Sequence, residues 1–150
     1  MDEIDAQLLR LLQADGRLGA AQLAQQVGLA PSTVHERLTR LRREEFILGF
    51  EAVLDPAHFA DSMLVFAEVR LSGQGPAYEQ ALAAAVQRCD EIIECHRLGD
   101  QGTYLVKARV PDMAAHRRLF GDVLWAIPGV RDVRSYTAID EVKPDAGLPL

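Results

Sequence analysis

Two short helical patterns meet at Gly28 and Pro31, and that junction constrains the chain more than any other feature. The spacing of Leu23, Ala24 and Val27 predicts a helix over about residues 20–27. Gly28 then tolerates a left-handed backbone for a tight turn, and Pro31 suits the first turn of a new helix, where a missing N–H costs nothing. Thr33 and Glu36 also have capping-box spacing, which would start the new helix about two residues later. Val34, Leu38 and Leu41 fall at i, i+4 and i+7 and define its buried stripe. Upstream, Ile4, Leu8, Leu11 and Leu12 predict another helix, with Asp2 as N-cap and Gly16 just past its end. Three helices so joined form a layout that can lay its last helix in the major groove of DNA.

The outer face of that last helix fits the task. At about 100° per residue, Ser32, Glu36, Thr39, Arg40 and Arg43 lie opposite the apolar stripe, with Thr33, His35, Arg37 and Arg42 on its flanks. Early residues of such a helix reach base edges, so Ser32, Thr33, His35 and Glu36 are the candidate base readers. Arg37, Arg40, Arg42 and Arg43 are the candidate phosphate contacts, although an arginine can equally pair with guanine. The same periodicity also describes a solvated amphipathic helix. A net charge of −6 argues against a nucleic-acid coat over the whole surface, yet residues 30–43 hold four arginines against Glu36 alone. One basic face on an acidic chain is the expectation.

With 150 residues, 49% of them hydrophobic and 25% charged, the chain suits one ordinary domain or two small ones. No apolar run approaches the roughly 18 residues of a membrane span, and Met1-Asp2-Glu3 has the wrong charge for a secretory leader, so a cytoplasmic protein without membrane partners is expected. Cys89 and Cys95 read as buried free thiols. Catalysis finds no support: there is no nucleophile elbow, phosphate-binding glycine loop or zinc-type cluster. Cys95 and His96 are adjacent on a predicted strand and point to opposite faces, and His35, His58 and His116 are isolated in sequence. No catalytic residue, metal or cofactor is therefore expected.

Beyond residue 46 the periodicity changes. Ile47, Phe50, Val53 and Leu54 suggest a short strand or extended linker that ends at Asp55-Pro56. Strands are then expected at Met63–Leu71, 92–98, Thr103–Val110 and 130–142, and helices at 76–88 and 113–127. The order β-α-β-β-α-β predicts a ferredoxin-like sheet with helices on one face, so the fold class is α+β. The other face, read as naked and apolar, predicts at least a dimer. The expected domains are a winged or plain helix-turn-helix at 1–46, a strand or linker at 47–61, the ferredoxin-like domain at 62–143 and a tail at 144–150.

Several segments resemble the Lrp/AsnC family of transcriptional regulators: DAQLLRLLQADGR at 5–17, LAQQVGLAP at 23–31, RLTRL at 37–41 and Phe46-Ile47. In the second half LVFAEV at 64–69, EIIECH at 91–96, YLVK at 104–107, VPDM at 110–113 and IPGV at 127–130 resemble its leucine-responsive branch. The resemblance covers nearly the whole chain. It implies a regulator of amino-acid metabolism that binds double-stranded DNA as a dimer with paired sheets. It further implies assembly towards an octamer of four dimers, with a small amino-acid effector bound between dimers.

The implied effector site departs from the family pattern. In the family the loop before the third sheet strand typically reads Gly-Asp-x-Asp-Tyr, and the last acid helps hold the effector's ammonium group. Here residues 98–104 read LGDQGTY, which puts Thr103 at the acid position. A threonine hydroxyl accepts a hydrogen bond but supplies no countercharge. Asp100 takes the family's glycine position, and Gly99 and Gly102, with Gln101 between, give the loop freedom to bring Asp100 into the missing acid's place. Met113 matches an effector-response position, and Tyr136, Thr137 and Ala138 match the strand that lines the opposite wall. The rival expectation is a small-molecule-binding or interaction module that does not bind DNA, which would lack the steep salt dependence of a phosphate-gripping protein.

Overall fold

The computed structural model describes all residues except 60–62, 74, 100, 101, 144–146 and 150. The chain divides into two compact units, Met1–Val53 with Lys143–Leu150, and Leu54–Val142.

The first unit holds α1 (Glu3–Ala14), α2 (Ala20–Val27) and α3 (Pro31–Arg43). Asp2 and Asp5 cap α1 reciprocally: Asp5 N–H donates to Asp2 Oδ1 at 2.9 Å, and Asp2 N–H donates to Asp5 Oδ2 at 3.0 Å. Gly28 stops α2 at φ +70, and Leu29 N–H closes the turn onto Ala24 O at 3.1 Å. Pro31, rather than Thr33, opens α3. Its far end uses the same left-handed turn on a less suitable residue: Glu45 has φ 58, while Glu45 and Phe46 N–H groups donate to Arg42 and Leu41 carbonyls. Leu8, Leu12, Leu23, Ala24, Val34 and Leu38 form the core, and Leu41 is fully buried. Among the described residues no strand follows α3 in this unit, so the helix-turn-helix has no wing and residues 46–54 run without a ladder. Phe46, Leu48, Phe50, Val53 and Leu54 are exposed, and among the described residues the segment read as a possible short strand has no partner strand. The described tail residues return to this unit, where Leu148 N–H donates to Gln13 Oε1 at 2.7 Å and Gln13 Nε2 donates to Leu148 O at 3.2 Å.

The second unit holds β1 (Met63–Leu71), α4 (Pro76–Gln87), β2 (Ile92–Arg97), β3 (Thr103–Val110), α5 (Met113–Arg118) and β4 (Val130–Thr137). The sheet order is β2-β3-β1-β4 and every pairing is antiparallel, as the split β-α-β pattern requires. The last helix is shorter than expected as an α-helix. After Arg118 it widens into a π-helical turn, Leu119–Leu124, with Trp125 N–H reaching Phe120 O at 3.0 Å. The last strand ends at Thr137 rather than 142, because Thr137 already pairs with Val65 near the start of β1 and little strand remains to pair with beyond it. Alternate residues of β1 and β3, Ala67, Val69, Leu71, Tyr104 and Val106, pack against Leu82, Leu124 and Ile127. Val65, Ala108 and Val110 continue that layer onto Ala115 and Leu119.

The uncovered face of the sheet is not the wholly apolar surface expected from a layout with helices on one side only. Phe66, Leu105 and Tyr136 are interleaved there with ion pairs: Glu68–Arg70 at 2.5 Å, Glu94–Lys107 at 2.6 Å and Asp132–Arg134 at 3.2 Å. Glu68–Arg70 and Asp132–Arg134 lie two residues apart on β1 and β4, whereas Glu94–Lys107 joins β2 to β3, a match that a single strand's pattern does not display.

Candidate nucleic-acid interface and effector loop

Of the candidate base readers on α3, Ser32, His35 and Glu36 are exposed and Thr33 is half-buried. Thr39 is also exposed, but its Oγ1 donates back to His35 O at 2.9 Å, which turns the hydroxyl towards its own helix. The four arginines divide into two pairs. Arg43 is 76% exposed with Glu44 at 3.6 Å, and the Arg42 guanidinium lies over the Phe50 ring, 5.5 Å from its centroid. Arg37 and Arg40 instead turn towards α1. Arg37 Nη1 donates to Asp2 Oδ2 at 2.7 Å and Asp5 Oδ1 at 2.8 Å, and Arg40 Nη2 donates to Asp5 Oδ2 at 2.5 Å. The sequence-based assignment of Arg37 and Arg40 to phosphate contacts thus meets two guanidiniums already engaged by carboxylates.

Asp5 is the centre of this cluster, with its side chain fully buried. Sequence reading passed over it because it sits between Ile4 and Leu8 and resembles an ordinary first-turn acid. A signal was present: Asp2 and Asp5 are the N-cap and third residue of α1, and Arg37 and Arg40 are one turn apart on α3, so two facing helices can align both pairs. The Arg37 guanidinium holds the Asp2 carboxyl down at about 2, helped by the Asp5 backbone N–H. For Asp5, burial pushes the carboxyl up, but the Asp2 N–H and the two guanidiniums outweigh it and leave it lowered. A lowered folded value means the unfolded chain binds protons first as the solution is acidified, so this stabilisation is present above about 3.8 and is lost as pH falls towards about 2. Urea unfolding followed by far-ultraviolet circular dichroism should show stability falling through that window, with a shallower fall in Asp2→Asn.

The described candidate effector residues do not converge within one chain. Thr103 is almost fully buried at the start of β3, opposite Arg70, and Gly102 before it has φ +79 with Leu71 close by. Gly99 has open space around it, whereas Asp100 and Gln101 lie outside the described residues. Met113 follows the other end of β3 and is 52% exposed. Tyr136 and Thr137 pair with Phe66 and Val65, and Ala138 N–H donates to Leu64 O at 2.8 Å. Thr103 faces Arg70 and Thr137 faces Val65, so five steps of β1 separate them, about 17 Å at the usual rise. Two clefts, of about 350 and 570 Å³, open beside α4, and among the described residues neither is lined by these positions. Burial pushes the Cys89 and Cys95 thiols up, and the Glu91 carboxylate beside Cys89 adds to this, so both are poor nucleophiles. No helix among the described residues is long and apolar enough to cross a membrane.

Comparison with known proteins agrees with this architecture over both units. Residues 1–42 match the model of the AsnC-type helix-turn-helix domain, and residues 64–148 match that of the Lrp/AsnC ligand-binding domain. The chain is 44% identical to the leucine-responsive regulatory protein of Salmonella typhimurium, over 95% of this chain and 87% of that protein. Identity to its Escherichia coli K12 counterpart is 43% over the same shares. Among solved structures, a transcriptional regulator of Neisseria meningitidis in complex with L-Met superposes with a TM-score of 0.91 at 29% identity, covering 99% of this chain and 96% of that one. An AsnC family regulator of Agrobacterium tumefaciens superposes with a TM-score of 0.90 at 30% identity, covering 99% and 97%. These relatives are regulators rather than enzymes, and with the helix-turn-helix and the ferredoxin-like unit both matched, the chain belongs to the Lrp/AsnC family of DNA-binding transcriptional regulators.

Proposed function

We propose that this regulator reads DNA sequence with Ser32, Thr33, His35 and Glu36 of α3, grips the backbone with Arg42 and Arg43, and responds to an amino-acid-like effector as a homo-oligomer. The observation that carries the DNA-reading half is the outward face of α3, where three of the four candidate readers are exposed beside the exposed Arg43. Changes at Ser32 or Glu36 alter which sequence is preferred, whereas loss of Arg43 weakens binding to all sequences. A two-fold dimer places two copies of α3 on half-sites separated by whole helical turns.

The separation of Thr103 from Met113 and Tyr136–Ala138 supports a shared effector site. One chain supplies the loop around Gly99, Gly102 and Thr103, and another supplies the opposite wall, so ligand binding and assembly are linked. The regulator of Neisseria meningitidis that this chain resembles was solved with L-Met, which favours an amino acid as the ligand class. Thr103 supplies no negative charge for an ammonium group, so affinity for an ordinary amino acid depends on another acid, for which the loop offers Asp100. Calorimetric titration with the twenty amino acids, with assembly followed by light scattering, tests this. Binding that shifts the assembly state is the expected result, and Asp100→Asn should abolish it. If none of the twenty binds, the amino-acid assignment fails.

A further inference from the structure

We infer that Asp2 and Asp5 act as built-in substitutes for DNA phosphates, holding Arg37 and Arg40 back from the duplex so that the backbone grip of α3 falls to Arg42 and Arg43. This rests on the reading of α3 as the groove helix. Its observations are independent of that reading: three N–H···O contacts of 2.5–2.8 Å join two guanidiniums to two carboxylates, one of them fully buried. Two positive charges meet two negative ones, so this part of α3 presents no net charge. Arg40 is held inward although its Nε is buried without a hydrogen-bond partner among the described residues. Withdrawal of either arginine towards a phosphate leaves the buried Asp5 carboxylate short of a partner, which opposes the move. Arg43, by contrast, is 76% exposed and reaches solvent at no such cost.

The consequence concerns discrimination. Each guanidinium that neutralises a phosphate releases counterions and strengthens binding to every sequence alike. Confining two of the four arginines lowers affinity for arbitrary DNA, and specific recognition is measured against that background. Asp2 and Asp5 thereby set the ratio of specific to non-specific binding from a position that need not touch DNA.

The test is the slope of log K against log salt for the full chain on random-sequence duplex DNA, with circular dichroism confirming that each variant is folded. Arg43→Ala should make the slope shallower by about 0.9, as loss of one phosphate contact does. Arg37→Ala should leave the slope unchanged. Asp2→Asn keeps an N-cap acceptor but leaves Arg37 held by Asp5 alone and free to reach a phosphate, so its slope should steepen by up to about 0.9, with binding roughly fivefold to tenfold tighter at 0.1 M salt. A slope in Asp2→Asn equal to that of the parent, or a slope in Arg37→Ala shallower by about 0.9, overturns the inference. If Arg37→Ala does not fold, Asp2→Asn decides alone, because Asp2 is half-exposed. An unchanged slope in Arg43→Ala would instead overturn the docking of α3 itself, which keeps the two failures apart.

Discussion

Replacing Gly129 by alanine is expected to destabilise the sheet-containing unit by about 2–4 kcal/mol, from two separate causes at one position. Gly129 has φ +85, where any residue with a Cβ is strained. A Cβ built there would also lie 2.3 Å from Tyr78 Cδ1, 2.7 Å from Cε1 and 2.9 Å from Cγ, which are ring atoms near the stem rather than a flexible tip. The backbone has little freedom to yield, because Gly129 O accepts a hydrogen bond from Ser72 N–H at 2.7 Å and so ties the turn before β4 to the end of β1. The Tyr78 ring must therefore swing towards solvent, giving up its packing over the turn. Trp125 is the chain's single tryptophan and lies in this unit, so its fluorescence during thermal unfolding reports the loss directly. In a Tyr78→Ala background the clash disappears and the cost of Gly129→Ala should shrink to about 1 kcal/mol, the strain of the positive φ alone. An undiminished cost there would mean that the ring contact is not what the glycine serves.

The sequence revealed those features that depend on the order of residues along one element. Gly28 and Pro31 marked the turn and the start of α3 because each restricts the backbone on its own account. The bounds of β1 and β3 are those expected, and the βαββαβ order left few topologies to choose among. The expected length of the last helix failed where an α pattern passed into a π turn, since a hydrogen bond reaching one residue further leaves apolar spacing almost unchanged. What escaped the sequence was pairing across elements. The Glu94–Lys107 pair between β2 and β3 and the capture of Arg37 and Arg40 by Asp2 and Asp5 both join residues distant in the chain. An arginine on a helix surface looks the same in sequence whether it faces a phosphate or a carboxylate of its own fold. The effector positions show the same limit from the other side, because residues that the family resemblance groups into one site stand at different ends of β1 in a single chain.

Asp5→Ala is the second substitution with a large expected effect, and its physics differs from that of a cavity. In a fully buried ion pair, deletion of one partner costs roughly 3–5 kcal/mol because the other charge is left uncompensated. Here the arginines are 24% and 39% exposed, so both can relax into water, and the cost falls to about 2–3 kcal/mol. Part of it is the lost half of the capping box, since Asp2 N–H would no longer find Asp5 Oδ2. The unfolding transition of the three-helix unit, followed by circular dichroism, should move to lower denaturant, while Trp125 fluorescence reports an unchanged second unit. Exchanging both partners for apolar residues, Asp5→Leu with Arg40→Leu, should recover much of the loss, because no orphaned charge remains between α1 and α3. A shift below about 0.5 kcal/mol for Asp5→Ala would instead class the cluster with surface ion pairs of little consequence. The distinction governs how arginine substitutions on α3 are to be read: Arg40→Ala is expected to weaken DNA binding through the stability of the helix bundle, and Arg43→Ala through the loss of a phosphate contact from an intact one.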